Sequence, residues 1–351
     1  MIKKKKFFIT DKKSLLPVSE KNFLIPFLTS SKKGTNYYET PNNLIVKKEY
    51  YAEKLCQFHQ IIDMFSSIGV NLKTKTLIDV GTGNGIIPKT LLVTGNIKST
   101  VGTDLYSPYE HDSARIPLED GIFKKYLKYL KSKIKRNTLS YNFYYKDVKG
   151  TAEKEVFQPK DTIIKKIIHK KLKNYRFQKV GAQNLKKINK KFDIIYCKGI
   201  EHIHNWRLVL NNFNSISKKG TFVYLKIRPF HSYLGPHRFA TTTIPWGHAL
   251  LTRGEYKRYV NQFHKHRYKK MLSNYLDTLS MPRYSCDELI RLFEKKNYHL
   301  VCQKTETPPY LNQIIKIKNK IKNFDYLIKK NSKATNLDLA TSVHHIVLRK
   351  G

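Results

Sequence analysis

Cysteine is scarce in this chain of 351 residues: Cys56, Cys197, Cys286 and Cys302 stand far apart and form no CxxC pair. That scatter argues against a disulfide framework and a zinc site, so no metal is expected, and it suits a reducing compartment. Acidic residues are also few. Against 67 Lys and Arg stand 26 Asp and Glu, a formal net charge of +41. Apolar runs long enough to cross a bilayer are missing. The start, Met1-Ile-Lys-Lys-Lys-Lys-Phe-Phe-Ile-Thr10, has the basic end of an export signal, but Asp11, Lys12 and Lys13 cut its apolar stretch short. With 40% hydrophobic residues the chain is not built for disorder throughout. A cytoplasmic globular protein is expected, as one large domain with insertions or one domain plus a smaller cap.

The charge has two readings. A field of this size attracts phosphates, which points to nucleic acid or an anionic membrane surface. The plainer reading is compositional: lysines far outnumber arginines and are spread along the whole chain, as in proteins from AT-rich genomes. Base-reading and bidentate phosphate sites favour arginine. Charge alone therefore leaves nucleic acid as an open partner and decides nothing about fold.

Residues 1–45 read as a basic, irregular N-terminal extension with turn formers at Pro17, Pro26, Gly34 and Pro41. From Val46 to Ile68 apolar residues recur at helical spacing, and Gly69 ends the helix. Thr76–Val80 reads as a short buried strand, Gly81-Thr-Gly-Asn-Gly85 leads into a helix running to about Val93, and Thr100–Asp104 reads as the next strand. That is a βαβ unit, which requires a parallel sheet. An insertion of about 105–174 follows, with basic helical segments at Ile122–Lys135 and Asp161–Lys173 and an extended piece at Leu139–Val148. Alternation then resumes with strands at Tyr175–Val180, Phe192–Cys197 and Gly220–Ile227, and a helix at Trp206–Ile216. A cap or substrate region of about 228–282 includes a helical stretch, Tyr256–Leu279. Ser285 with Glu288 three residues on makes a capping box, and closing strands are expected at His299–Lys304 and Ser342–Arg349.

Asp79-Val-Gly-Thr-Gly-Asn-Gly85 lies between a strand and a helix, where an anionic or nucleoside ligand is expected. A nicotinamide fingerprint would place its third glycine at position 86, which is Ile86; here it falls at Gly85. Asp104 ends the next strand, where a carboxylate can accept hydrogen bonds from both ribose hydroxyls.

With these residues the sequence resembles class I S-adenosylmethionine-dependent methyltransferases. Val180-Gly-Ala-Gln-Asn-Leu185 is similar to their segment beside adenine. Phe192-Asp-Ile-Ile-Tyr-Cys-Lys-Gly-Ile-Glu-His202 is similar to the fourth strand and loop of the broad group acting on small molecules, sugars and lipids, and Ser217–Tyr224 to the turn into the fifth strand. The resemblance covers about residues 46–104 and 175–304, with a last strand near 342–349. It implies an α/β, Rossmann-like fold: a mostly parallel seven-stranded sheet with helices on both faces, plus insertions, the domain spanning 46–351. It also implies S-adenosyl-L-methionine as cofactor. Asp79, Gly81, Thr82, Gly83, Asn84 and Gly85 would surround its methionine part, Asp104 and Leu105 its ribose side, Ala182 and Gln183 its adenine, and Lys198 would sit beside it. Many relatives carry an acidic residue where this chain reads Gly181-Ala182, so the adenine contact falls to backbone or to Gln183.

Methyl transfer from a sulfonium needs alignment, exclusion of water and sometimes removal of a proton. Acceptor candidates come from His231-Ser-Tyr-Leu-Gly-Pro-His237 and Ile244-Pro-Trp-Gly-His248, where His237 and His248 are the candidate bases. Trp246 reads equally well as core, and His202 as a packing residue. The expected acceptor is an oxygen or nitrogen of a small molecule, sugar or glycan precursor. An RNA or DNA methyltransferase gripping the backbone with its basic insertion is the alternative, although Lys198-Gly-Ile-Glu-His202 lacks the Asn/Asp-Pro-Pro-Tyr pattern of base amino-methylating enzymes. A third reading is a basic binding protein on the same fold, against which the intact glycine turn and Asp104 argue.

Overall fold

The structure, a computed structural model, describes residues 6–18, 44–105, 122–135, 141–146, 152–157, 169–198, 202–203, 205–232, 246–265, 268–273, 284–306, 311–331, 334–341 and 343–351, with residues 235, 242 and 244. Among them a seven-stranded sheet is built from β1 (Thr76–Val80), β2 (Ser99–Asp104), β3 (Tyr175–Lys179), β4 (Phe192–Cys197), β5 (Ser217–Ile227), β6 (Tyr298–Glu306) and β7 (Val343–Lys350). Its spatial order is β6-β7-β5-β4-β1-β2-β3. The run from β3 to β5 is parallel, and β7 is inserted antiparallel to both β5 and β6. All seven strands lie where the sequence placed them. The central ones are short apolar runs buried on both faces, as parallel strands between helical layers must be.

One face is covered by α1 (Leu44–Ser67), α2 (Ile86–Val93) and α3 (Ile122–Lys135). Phe58, Ile61 and Phe65 of α1 and Leu91 of α2 pack there against Leu77, Ile194, Tyr196 and Tyr224 of the sheet. The opposite face is covered by α4 (Trp206–Ser215), and by α8 (Cys286–Glu294) after three cap helices. There Val209, Phe213 and Phe293 meet Ile78, Ile195 and Val223. The expected capping box starts α8: Ser285 Oγ accepts from Glu288 N at 3.1 Å, and Glu288 Oε2 accepts from Ser285 N at 3.0 Å.

The cap helices are α5 (Gly247–Leu250), α6 (Arg253–Phe263) and α7 (Tyr268–Ser273), with α9 (Leu311–Lys320), α10 (Phe324–Asn331) and α11 (Asn336–Ala340) from the excursion before β7. They enclose a separate core around Trp246, Tyr256, Tyr259, Phe324 and Leu327.

Two expectations fail here. The irregular reading of residues 1–45 does not hold at 6–18, where Lys6–Ile9 and Leu15–Val18 form an antiparallel hairpin. Phe8 and Leu16 enter the cap core, and Asp11 joins Arg258 at 2.6 Å. Four-residue strands carry too little periodicity to stand out from their basic flanks. The single helix expected over Tyr256–Leu279 also breaks. His264 leaves helical geometry at φ −136°, its Nε2 paired with the Tyr259 hydroxyl at 2.7 Å. In the insertion, Tyr141–Lys146 pairs with Ala152–Phe157, and a 3-10 helix at His169–Asn174 is what is described of the second basic helix. No helix among the described residues is long and apolar enough to cross a membrane.

Candidate functional site at the carboxyl edge of the sheet

Strand order reverses between β1 and its neighbours β2 and β4, which leaves a crevice beyond their carboxyl ends. The turn after β1 fills the floor of that crevice. Gly81 N and Thr82 N both donate to Thr103 O, at 2.8 and 2.9 Å, and Gly85 N donates to Thr82 O at 3.1 Å. Asn84 Oδ1 accepts from Ile86 N at 3.2 Å, where α2 begins. Gly81 and Gly83 take positive φ, and a Cβ on either would meet open space, so a ligand can lie directly against this backbone. Gly85 is constrained differently. At φ +68° a Cβ would collide with Tyr175 Oη, which β3 sends beneath the turn. That hydroxyl is buried with no hydrogen-bond partner among the described residues, and burial together with Asp79 raises its pKa.

Two carboxylates flank the turn. Asp104 Oδ2, at the end of β2, accepts from Gly83 N at 2.8 Å and so braces the loop from the rim. Asp79 is 4% exposed, and Thr82 Oγ1 donates to its Oδ2 at 2.7 Å. Burial pushes Asp79 up to about 6; Thr82, Lys54 and Lys198 pull it down, while Asp104 adds to the rise. A buried carboxyl held this high is short of positive partners, and that shortage fits the ammonium end of an amino acid.

The residues expected beside adenine also converge. Leu105 is exposed and lies over Gly181, where a Cβ would strike its side chain and come within 3.4 Å of Gln183 Oε1. Ala182 begins a 3-10 segment tied to α4 by Asn212, whose Nδ2 donates to Gln183 O at 2.8 Å and whose Oδ1 accepts from Lys186 N at 3.0 Å. The sequence reading missed Asn212, because a polar residue on a helix gives no sign of a partner 29 positions earlier. Half-buried Lys198 follows β4, within electrostatic range of Asp79.

The cap residues fare unequally. His248 is 2% exposed, and its Nε2 donates to Phe230 O at 2.6 Å. Gly235 passes so close that a Cβ would stand 2.9 Å from that same nitrogen. Trp246 is core: its ring meets Phe324 edge-on at 4.9 Å and its Nε1 donates to Leu339 O at 3.2 Å. His237 lies outside the described residues.

A second polar group at this edge had no signal in the sequence. Lys226, next to last in β5, donates to Gln60 Oε1 at 2.7 Å and lies 3.8 Å from Glu306 Oε1. Glu306 Oε1 also accepts from Gln60 Nε2 at 2.7 Å and from His345 Nε2 at 2.6 Å, and His345 Nδ1 takes the Tyr224 hydroxyl at 2.7 Å. Burial would raise Glu306, but the His345 bond and then Lys226 bring it down to about 2.

A family model described as a methyltransferase domain matches residues 48–303. No curated protein matches the chain. Among solved structures, the chain is similar to geranyl diphosphate C-methyltransferase from Streptomyces coelicolor A3(2), with 11% identity over 90% of this chain and 87% of that one, at a TM-score of 0.40. It is similar too to magnesium protoporphyrin IX methyltransferase from Synechocystis PCC 6803 with bound S-adenosylmethionine, with 7% identity over 90% and 88%, at a TM-score of 0.39. At such scores the likeness says nothing about the acceptor.

Proposed function

This chain belongs to the methyltransferase-domain family and is an S-adenosylmethionine-dependent enzyme, and from that premise we propose that it methylates an oxygen or nitrogen of a small molecule, sugar or glycan precursor. The observation that carries the reading is the open glycine turn with Asp104 braced at its rim and Asp79 beneath it. The cofactor supplies a methyl group on a sulfonium, already a good leaving group, so the protein's task is placement.

Each residue has a distinct part in that placement. Gly81 and Gly83 let the ligand approach the backbone, while Thr82 and Asn84 hold the turn in shape from within. Asp79 receives the amino-acid end, where an ammonium offsets its desolvation. Asp104, with Oδ2 on Gly83 N, offers its carboxylate to the ribose hydroxyls. Leu105, Ala182 and Gln183 bound the adenine, and Lys198 stands between the cofactor and the acceptor. His248 donates from Nε2 to Phe230 O, so that nitrogen is held by the backbone at Phe230 and takes no further proton. A base, where the acceptor needs one, is assigned to His237 on the sequence alone.

Calorimetric titration with S-adenosylmethionine and S-adenosylhomocysteine, beside Asp104→Ala, tests the reading. Micromolar binding that weakens roughly hundredfold in the variant is expected, since two or more charge-assisted hydrogen bonds are lost. A folded, unaltered protein that binds neither compound refutes the assignment.

A further inference from the structure

The carboxyl edge of the sheet places the cofactor turn and the second polar group in one lateral row. Val80 pairs with Thr103 on one side and Cys197 on the other, Cys197 pairs with Leu225, and Lys226 pairs with His345. One residue beyond those rungs, the row reads Asp104, Gly81, Lys198, Lys226 and His345. Lys226 lies two strands from the glycine turn, about 10 Å at ordinary strand spacing. Two residues on from Tyr224, it faces the α1 side of the sheet, as its bond to Gln60 of α1 requires.

Lys226 is 8% exposed, yet its ammonium is under-used. It has three N–H bonds. Among the described residues Gln60 Oε1 takes one, and Glu306 Oε1 at 3.8 Å is beyond hydrogen-bond reach. A nearly buried cation with unused donors is costly unless something else accepts from it. Its surroundings sharpen the need. Burial lowers the pKa of Lys226, Lys198 and Arg228 push the same way, and Glu306 opposes them. With two cations acting on it, Lys226 gains from an anion at its side. Glu306, the carboxylate paired with it at 3.8 Å, accepts its hydrogen bonds from His345 and Gln60 and none from Lys226.

We propose that Lys226, with Lys198 beside it, binds an oxyanion of the methyl acceptor, so that the acceptor is a small molecule carrying a carboxylate or phosphate group. The proposal rests on the methyltransferase reading and names its substrate class. Gln60, Glu306, His345 and Tyr224 act through Lys226 as positioning residues, because they fix the ammonium at the end of β5, one strand from Lys198.

The test is calorimetric titration of the full chain, saturated with S-adenosylhomocysteine, with inorganic phosphate and in a parallel arm with malonate. Lys226→Met and Lys198→Met are compared with Lys316→Ala/Lys320→Ala, which removes two exposed charges on α9. One equivalent of anion should bind, and each of the first two variants should weaken it about tenfold or more, the loss expected for one charge-assisted hydrogen bond, while the α9 variant changes little. The tighter of the two arms tells phosphate from carboxylate. No saturable binding, or binding that falls equally in the α9 variant, overturns the proposal. Affinity for S-adenosylhomocysteine, measured separately, should stay within about threefold in Lys226→Met, which shows the variant is folded. Failure of the unaltered protein in that titration overturns the methyltransferase reading itself, independently of the anion result. Lys226→Arg serves as the conservative variant and should retain anion binding if the charge is what matters.

Discussion

Two carboxylates lie at the same edge of the same sheet, and their surroundings drive them in opposite directions. Asp79, beneath the glycine turn, receives the Thr82 hydroxyl and is pushed up to about 6 by burial. Glu306, at the end of β6, receives His345 and Gln60 with Lys226 near, and is held at about 2 although burial works against it. The first region is an unfinished ion pair built from neighbours in sequence. The second is a network drawn from α1, β5, β6 and β7 that, among the described residues, fully supplies the Glu306 carboxylate and leaves donors of Lys226 over. A group left short of partners in a crevice is arranged for a ligand, whereas a group fully supplied by the protein holds the fold in place.

Replacing Asp79 by Asn should break that contrast most visibly. In the folded chain the carboxyl keeps its proton up to about pH 6, against 3.8 for an ordinary Asp. Stability therefore falls as pH rises between those values and stays lower above them. Asp79→Asn removes the penalty, so ligand-free protein should gain up to about 3 kcal/mol above pH 6 and nothing below pH 3.8. Affinity for S-adenosylhomocysteine should fall tenfold or more at the same time. Thermal melts across pH, paired with calorimetry, read both effects; a variant that is destabilised at neutral pH defeats the account of Asp79.

Glu306→Gln should show the opposite sign at a smaller size. Its lowered pKa contributes stability that is complete above 4.5 and lost as pH falls toward 2. The shift from 4.5 to about 2 sets a ceiling of about 3 kcal/mol; with the carboxylate partly in solvent, the variant should lose about 2 kcal/mol at neutral pH and converge on the unaltered protein near pH 2. Denaturant titration at several pH values checks this, and a loss independent of pH contradicts it. The smallest effect belongs to Tyr224→Phe, which removes the outermost bond of the network and leaves the ring packed. A loss of about 1 kcal/mol is expected by the same method; no loss would mean His345 needs no partner at Nδ1.

The contrast also explains what was legible in the sequence. Asp79, Thr82, Asn84, Gly85 and Asp104 span 26 positions, and their geometry follows from a strand, a turn and a strand in succession, so the pattern of residue types announces it. Gln60, Tyr224, Lys226, Glu306 and His345 come from four elements spread over nearly the whole domain. Singly each is an unremarked polar residue in an apolar pattern. His248 adds a case of the same kind: nothing in the sequence shows that its Nε2 meets Phe230 O, 18 positions earlier. The hairpin at 6–18 was hidden for a similar reason, since Phe8 and Leu16 matter only once Tyr259 and Phe263 are beside them.

The sequence by itself determined the seven strands, their alternation with helices, the glycine turn and its acidic partner, because hydrophobic period and glycine placement act over a few residues. The tertiary structure alone decided which buried polar groups are satisfied by the protein and which are left for a ligand. Hydrogen bonding and desolvation depend on what arrives from distant parts of the chain, and only the folded sheet brings Lys226 into line with Lys198 and the glycine turn.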